Sequence, residues 1–315
     1  DEAIDGASTL RLASTGGSRF DAAVGATTAL GALIVDGPML LNGGSVATTG
    51  THTYNGAVTL GSDHTLSGGN ISFNATLDGA QALRVEPTGR VAIADAVGGD
   101  TALTSLRIVG DSRLAGGALT TSGSQRYEGA VTLAADTTVN GSTLRFDSTV
   151  DGAHALDSKV TGSSVFNGAV GGGTALGALT VANATALGAS VTTSGAQSYG
   201  GAVTVTAAST LGAASIDFAS TVDGPAALSA STTGTLSFDG AVGAGVALAS
   251  LTADSGGATR LGASVTTTGA QRYNGPVTLS TDTTLNGSAV VFNGTLNSAH
   301  ALQVNAAGIT RFAAE

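Results

Sequence analysis

The chain lacks cysteine and tryptophan, and it has only four prolines and a single lysine, Lys159, among its 315 residues. The absence of cysteine excludes disulfides, thiol catalysis and cysteine-ligated metals, although it fits an exported protein as well as a cytosolic one. No run of about 18 apolar residues is present, so we expect no membrane insertion as a helix. Charged residues make up 11% of the chain. That share is low and aliphatic residues are plentiful, which is the reverse of a disordered composition.

The net charge of −10 argues against a second group of functions. Binding to nucleic acid needs a cationic surface that neutralises phosphates, and an acidic chain with one lysine does not supply it. The same charge disfavours electrostatic docking on anionic lipids. We therefore expect no nucleic acid among the partners.

In place of these features the chain carries a periodic set of rings. The tyrosines recur 72 to 74 residues apart, at Tyr54, Tyr127, Tyr199 and Tyr273. A second ring follows 19 residues after each tyrosine, at Phe73, Phe146, Phe218 and Phe292. The next equivalent position holds Ile93, Phe166, Phe238 and Phe312, and Phe20 occupies it in a truncated first repeat. Because a globular core scatters its aromatic residues, this spacing predicts a solenoid in which equivalent positions lie above one another.

Short segments of alternating apolar and polar residues separate the rings, as in the run from Tyr54 to Leu60. Alternation at period two predicts strands, and a glycine every six or seven residues disfavours helices. We interpret the intervals of 19 and 20 residues as one coil each and the remaining gap of 33 to 35 residues as two coils. The sequence thus predicts an all-β parallel β-helix (β-solenoid) of about 17 coils of roughly 18 residues, with about four coils in each repeat.

The repeat also predicts how the chain is organised. We expect one continuous β-solenoid over residues 1–315, with units at 1–53 (partial), 54–126, 127–198, 199–272 and 273–315 (partial). The rings are expected to point inward, and Thr, Ser, Asn and Asp outward. A motif inside each gap resembles the ring motifs with leucine in place of the ring, at Leu41, Leu114, Leu187 and Leu261. Since the chain begins within a repeat and stops just after a ring position, we expect a fragment of a longer protein or a processed product.

Two segments carry a resemblance to a known family. Thr267-Thr-Gly-Ala-Gln-Arg-Tyr-Asn-Gly-Pro-Val-Thr-Leu and Phe238-Asp-Gly-Ala-Val-Gly-Ala-Gly-Val-Ala-Leu are similar to the repeat tracts of large bacterial surface adhesins. These are the filamentous-haemagglutinin-like passengers of two-partner secretion, including biofilm-matrix adhesins. The resemblance covers essentially the whole chain. It implies a right-handed β-helix, export through an outer-membrane secretion pore, a secreted, extracellular or bacterial cell-surface location, and a role in adhesion. The secretion-recognition domain of such passengers is not evident, which leaves the export route open.

We searched the polar residues for chemistry and found no convergent set. His52, His64, His154 and His300 are interpreted as outward turn residues, because a sister repeat has Ala226 in the slot of His154 and His300. Three turn aspartates recur about 73 residues apart, at Asp78, Asp151 and Asp223. That separation is too large for paired catalytic carboxylates or a shared calcium ion, and turn geometry explains an aspartate before glycine. Arg126 and Arg272 are expected to be solvated. We therefore predict no catalytic, cofactor-binding or metal-binding residue and no cofactor.

Three functions remain as hypotheses. The first is a non-catalytic rod or stalk segment of a secreted surface or biofilm-matrix adhesin, mediating cell–cell or cell–polysaccharide adhesion. Its partners would be an exopolysaccharide or cell-surface glycan, or copies of the chain itself. The second is a self-assembling structural subunit of an extracellular filament or sheath, because the open ends of a solenoid are sheet edges. The third and weakest is a carbohydrate-active β-helix enzyme.

Overall fold

The computed structural model describes residues 3–313, and within that range the chain is built from strands and turns without a helix. The strands divide between two compact units. Unit 1 comprises residues 3–150 and 159–161, and unit 2 comprises residues 151–158 and 162–313. The expectation of one continuous solenoid over residues 1–315 stays a prediction, and each unit is described by itself.

Unit 1 contains nineteen complete strands: β1 (Thr9–Leu12), β2 (Ser18–Phe20), β3 (Ala32–Val35), β4 (Met39–Leu41), β5 (Ser45–Ala47), β6 (His52–Tyr54), β7 (Val58–Leu60), β8 (His64–Gly68), β9 (Ile71–Phe73), β10 (Leu77–Asp78), β11 (Ala82–Pro87), β12 (Arg90–Ile93), β13 (Ser105–Ile108), β14 (Asp111–Leu114), β15 (Ala118–Thr120), β16 (Ser124–Tyr127), β17 (Val131–Leu133), β18 (Thr137–Asn140) and β19 (Thr143–Phe146). The short strand β20 (Val150–Asp151) lies at the division between the units.

Unit 2 contains the remaining strands: β21 (Leu156–Ser158), β22 (Ser163–Phe166), β23 (Leu179–Val181), β24 (Ala184–Leu187), β25 (Val191–Thr192), β26 (Ala196–Tyr199), β27 (Val203–Val205), β28 (Ser209–Ala213), β29 (Ser215–Phe218), β30 (Val222–Asp223), β31 (Ala227–Thr232), β32 (Leu236–Phe238), β33 (Ser250–Ser255), β34 (Thr259–Leu261), β35 (Val265–Thr266), β36 (Ala270–Tyr273), β37 (Val277–Leu279), β38 (Thr283–Gly287), β39 (Ala289–Phe292), β40 (Leu296–Asn297), β41 (Leu302–Ala306) and β42 (Thr310–Phe312).

In unit 1 the strands form three parallel sheets. Sheet I contains β1, β3, β6, β9, β12, β14 and β17. Sheet II runs through β2, β4, β7 and β10 and continues, through bridges made by Val97, to β15 and β18. Sheet III contains β5, β8, β11, β13, β16 and β19. The chain visits the three sheets in turn, so each strand pairs with the strand one turn later.

Unit 2 repeats this plan. Sheet IV contains β21, β23, β26, β29, β32, β34, β37 and β40. Sheet V runs through β22, β24, β27 and β30 and continues, through Val242, to β35, β38 and β41. Sheet VI contains β25, β28, β31, β33, β36, β39 and β42. The predicted fold class is thereby confirmed: the chain is an all-β parallel β-solenoid of about 16 turns spaced by about 19 residues, consistent with a right-handed β-helix.

The prediction of four coils in each repeat is wrong. Between Tyr54 and Tyr127 the chain passes from one sheet of unit 1 to the next eleven times, and three such steps make one turn. One buried residue from each successive position marks the path: Tyr54, Leu60, Leu66, Phe73, Leu77, Val85, Ile93, Val97, Ile108, Leu114, Leu119 and Tyr127. The repeat therefore spans three and two-thirds turns. As a result Tyr54 lies in sheet I but Tyr127 in sheet III, and in unit 2 Tyr199 lies in sheet IV but Tyr273 in sheet VI.

The error arose in the gap of 33 to 35 residues, which holds one and two-thirds turns instead of two. A whole number of coils requires each tyrosine to return to the same sheet, but the alternating pattern is the same on all three sheets and does not identify them. The gap leucines were placed correctly. Leu114 pairs with Ile93 one turn before it, and Leu261 pairs with Phe238, so leucine does occupy the position of the ring.

The prediction that the rings point inward is confirmed for eleven of the twelve. Every ring from Phe20 to Phe292 is at most 5% exposed, whereas Phe312, in the last described strand, is 57% exposed. Successive rings stack along the axis of each unit: the Phe218 centroid lies 5.1 Å from Tyr199 and 5.0 Å from Phe238. Such stacking contributes about 0.5–1.5 kcal/mol per pair beyond the burial of apolar area.

Candidate functional surface

The alternation that buries the rings sends polar side chains outward in rows. In β7, Val58 and Leu60 are buried while Thr59 between them is exposed. Parallel pairing in register aligns such residues from turn to turn. One row on sheet I contains Thr53, Ser72, Ala92, Arg113 and Thr132. A row on sheet IV contains Thr180, Ser198, Asp217, Ser237, Arg260 and Thr278.

An open groove of about 540 Å³ lies on sheet I of unit 1. It is lined by Asn70, Ser72, Thr88, Gly89, Arg90, Ala92 and Asp111. The lining combines amide, hydroxyl, guanidinium and carboxylate groups, so the groove offers both hydrogen-bond donors and acceptors. None of these residues was singled out in the sequence.

Sheet III of unit 1 carries a charged row. Four arginines stand in register, Arg84, Arg107, Arg126 and Arg145. Carboxylates separate their charges: Arg107 Nη2 lies 2.6 Å from Glu128 Oε1, and Arg126 Nε lies 2.7 Å from Asp147 Oδ2. The Arg126 side chain is 44% exposed, in agreement with the prediction that it is solvated, and it is also ion-paired. Arg272 is exposed on sheet VI. Exposed pairs of this kind contribute only about 0–1 kcal/mol each.

A buried polar network that the sequence reasoning missed lies beneath three of the tyrosines. The hydroxyl of Tyr127 donates to Gln125 Oε1 at 3.0 Å. Gln125 Nε2 donates to the carbonyl of Leu119 at 3.1 Å and, one turn on, to that of Asn140 at 2.9 Å. The same pairs recur as Tyr199 with Gln197 and Tyr273 with Gln271. Each glutamine ties together two turns from inside, because a buried amide must satisfy its donors and acceptor.

His52 occupies the glutamine slot of the first tyrosine, and its prediction as an outward turn residue is wrong. The side chain is 0% exposed. Its Nε2 lies 3.0 Å from the carbonyl of Ser67, and its Nδ1 lies 3.4 Å from the hydroxyl of Tyr54. A neutral ring that donates from Nε2 and accepts at Nδ1 reproduces two of the bonds of glutamine, those to the tyrosine hydroxyl and to the carbonyl of the next turn. Burial lowers the pKa of His52 to about 4.

His64 is also buried, at 3% exposure, so its outward prediction is wrong as well. Its Nδ1 lies 3.1 Å from the carbonyl of Ser62, two residues earlier. Sister repeats place a hydroxyl here with the same bond: Thr137 Oγ1 donates to Ala135 and Thr283 Oγ1 to Thr281, each at 2.9 Å. The other ring nitrogen, Nε2, is buried without a hydrogen-bond partner in the described part of the chain. Burial accordingly lowers the pKa of His64.

The other two histidines agree better with the prediction. His300 is exposed and lies 3.6 Å from Asp282 through Nδ1. His154 is half-buried. None of the four histidines belongs to a metal site in the described chain. Within residues 3–313, no group of three or more His, Asp or Glu side chains is close enough to hold a metal ion. The expectation that the chain binds no metal stays a prediction.

The turn aspartates accept hydrogen bonds from the backbone of the next turn. Asp78 Oδ1 accepts hydrogen bonds from the backbone N–H of Asp100 at 3.0 Å and of Thr101 at 3.2 Å. Asp5, Asp151 and Asp223 make the equivalent pair of bonds, to corners 22 and 23 residues later. These two amides lower the pKa of Asp5. Asp5 was missed, although Asp5-Gly6 is the same dipeptide as Asp78-Gly79.

One pair of carboxylates on sheet IV comes closest to a catalytic pattern. Burial, and then the charge of Asp239, raises the pKa of Asp217. A raised carboxyl pKa is a property of general acids. Asp239, however, accepts a hydrogen bond from Ser237 Oγ at 2.7 Å and pairs with Arg260 Nη1 at 2.6 Å. Arg260 and Asp239 are about half exposed, so this cluster faces solvent on a flat row.

No helix within residues 3–313 has the length and apolar character to cross a membrane. Comparison with known proteins adds no relative: no protein-family model matches the chain, and neither a curated protein nor a solved structure matches it. The resemblance to adhesin repeats accordingly stays a prediction.

Proposed function

We propose that this chain is a non-catalytic stalk segment of a secreted bacterial surface or biofilm-matrix adhesin, and that its polar rows bind a polysaccharide. The observation that carries the proposal is the repetition of outward polar rows on both units, such as the row from Thr180 to Thr278. Stacked turns hold these side chains at intervals of about 4.8 Å. A repetitive surface of this kind suits a repetitive ligand, because many weak contacts add up along a polymer.

Support for the absence of catalysis comes from the same geometry. Catalysis needs groups that converge in a water-limited pocket, whereas the carboxylate pair of Asp217 and Asp239 faces solvent beside Arg260. Export through an outer-membrane pore and a cell-surface location belong to the proposal through the resemblance to adhesin repeats.

The test is binding of the full chain to polysaccharides and to their size-fractionated oligosaccharides, measured by calorimetry. We expect the affinity to rise steeply with glycan length. A short oligosaccharide that binds as tightly as the polymer would contradict binding by repetition, and release of reducing or unsaturated sugars would contradict the non-catalytic role. Growth of the chain into fibres without glycan, seen by electron microscopy, would favour the filament alternative.

A further inference from the structure

We infer that the groove on sheet I of unit 1 is a discrete subsite for one or two residues of a neutral saccharide, with Arg90, Asp111 and Asn70 as its polar contacts. The inference rests on the proposed function, in that the saccharide would be part of the polymer. The inference goes beyond the proposed function because it assigns saccharide recognition to one place in the chain.

The first argument comes from the internal repeats. Asn70, Arg90 and Asp111 each stand three residues before a residue of the inward ladder, namely Phe73, Ile93 and Leu114. The same positions in the next two repeats hold Thr143 and Ser215, Ser163 and Thr235, and Ala184 and Ala258. Turn geometry and stacking are therefore satisfied by small residues at these places. The three larger polar side chains are particular to this repeat, where Asn70 and Asp111 each also accept a backbone N–H of the next turn, and all three line one groove.

The second argument is that these groups keep hydrogen-bonding capacity for a ligand. The backbone N–H of Arg90 donates to Asn70 Oδ1 at 2.9 Å, but the guanidinium of Arg90 makes no hydrogen bond or ion pair with another described residue. Asp111 uses Oδ1 to accept from the backbone N–H of Ala130 at 2.9 Å, which leaves Oδ2. Asn70 and Ser72 also line the groove, and neither Asn70 Nδ2 nor the Ser72 hydroxyl makes a hydrogen bond to a described residue.

The balance of charge selects the class of ligand. Arg90 and Asp111 are neighbours in register on β12 and β14. An anion in the groove would meet the carboxylate of Asp111, and a cation would meet the guanidinium of Arg90. A neutral polyol satisfies both, since one hydroxyl donates to Asp111 while another accepts from Arg90.

The shape of the groove determines how tightly a saccharide is expected to bind. Gly89 forms part of its wall, and a Cβ at this position would lie 2.2 Å from Asn70 Oδ1, so glycine leaves room for the oxygen that accepts from the Arg90 N–H. No aromatic side chain is among the lining residues, and the groove is shallow and open. We therefore expect a dissociation constant on the order of millimolar for a short oligosaccharide.

The experiment uses the full chain and a panel of neutral tetrasaccharides of glucose, mannose and galactose, with a uronic-acid tetrasaccharide for comparison, titrated by NMR. Two variants alter the groove: Arg90→Ala removes its donors, and Ala92→Met fills it without touching a polar group. Arg272→Ala, an exposed arginine on sheet VI of unit 2, is the matched control. Circular dichroism and melting temperature establish that each variant is folded.

We expect at least one neutral tetrasaccharide to bind. Its affinity should fall at least about tenfold in both groove variants, because Arg90→Ala removes one to two polar contacts and Ala92→Met occupies the space of the sugar. The affinity should change less than about twofold in Arg272→Ala. Unchanged affinity in Arg90→Ala and Ala92→Met, or tighter binding of the uronic-acid tetrasaccharide, overturns the assignment. If tetrasaccharides fail to bind but a long polysaccharide binds wild type and variants equally, the groove is wrong and the proposed function survives. If no glycan of any length binds, both fail.

Discussion

The buried His52 makes a sharp prediction about acid stability. Its neutral ring takes the place that glutamine holds beneath the other three tyrosines, with Nε2 3.0 Å from the carbonyl of Ser67. Protonation adds a second N–H at Nδ1, which then faces the Tyr54 hydroxyl with a donor where it had an acceptor. A charge is also placed in an interior position that is 0% exposed. We expect His52→Gln to restore the bonds of the sister repeats and to remove this sensitivity.

The difference between the pKa of His52 in the folded and unfolded states sets the direction and size of the change in stability with pH. The pKa of His52 is lowered from an ordinary 6.5 to about 4 in the folded chain, so the unfolded state takes up the proton first as the pH falls. Stability is unaffected above pH 6.5 and falls progressively between pH 6.5 and 4. The full loss is about 3 kcal/mol, and at pH 5 it is about 2 kcal/mol. That value corresponds to about a thirtyfold change in the equilibrium for local opening.

Hydrogen exchange followed by mass spectrometry is the assay, because repeat arrays open locally and a global transition would average the effect. Peptides covering β6 and β8 are compared between wild type and His52→Gln at equal pH, so that intrinsic exchange rates cancel. The control is His300→Gln, which alters an exposed histidine in unit 2. At pH 5 the wild type should exchange about thirtyfold faster than His52→Gln relative to their ratio at pH 7.5. An equal pH dependence in the two proteins would refute this account of His52.

Two further predictions concern stability. Phe218 stacks between Tyr199 and Phe238 at 5.1 and 5.0 Å, so Phe218→Ala should leave a cavity and cost about 3–5 kcal/mol. Hydrogen exchange should show the loss concentrated in the adjoining turns, and unchanged protection there would mean that the ladder is not a source of stability. Asp223 accepts two amide hydrogen bonds, from Gly245 at 2.8 Å and Val246 at 3.1 Å. Asp223→Ala should therefore loosen this corner by about 1–2 kcal/mol, while Asp223→Asn, which keeps the acceptor, should recover at least half; equal losses in the two variants would show that the carboxylate does not hold the corner.

The solenoid could be predicted from the sequence because its signal is spacing. Tyr54, Phe73 and Ile93 fall at intervals of one turn, and an interval of one turn is the same on each of the three sheets. The number of turns in each repeat could not be predicted in the same way. Strands such as Val58–Leu60 on sheet II and Val131–Leu133 on sheet I have the same sequence and the same burial pattern, so nothing local identifies the sheet.

The buried histidines could have been found. In a strand, residues two apart point to the same side, and His52 stands two residues before the inward Tyr54. Gln125, Gln197 and Gln271 in the same slot indicate a buried hydrogen-bonding position and not a turn. The groove, in contrast, depends on residues from three turns that only the pairing of β12 with β9 and β14 brings together.

The repeat of eleven steps between sheets also limits how the surface can bind. Since eleven is not a multiple of three, successive repeats are rotated by one-third of a turn within each unit, and Tyr54 and Tyr127 fall in different sheets of unit 1. A side chain that is special to the repeats therefore does not recur along one face from a repeat to the next. A straight polymer lying on one sheet meets different parts of the repeat in succession, and the outward residue changes with them, as in the sheet I row of Thr53, Ser72, Ala92, Arg113 and Thr132. Under the proposed function, binding through repetition must then depend on the hydroxyl groups that recur within such rows. Under the same proposal, selectivity comes from single departures such as Arg90 and Asp111, so that a discrete groove and a weakly adhesive surface can coexist in one chain.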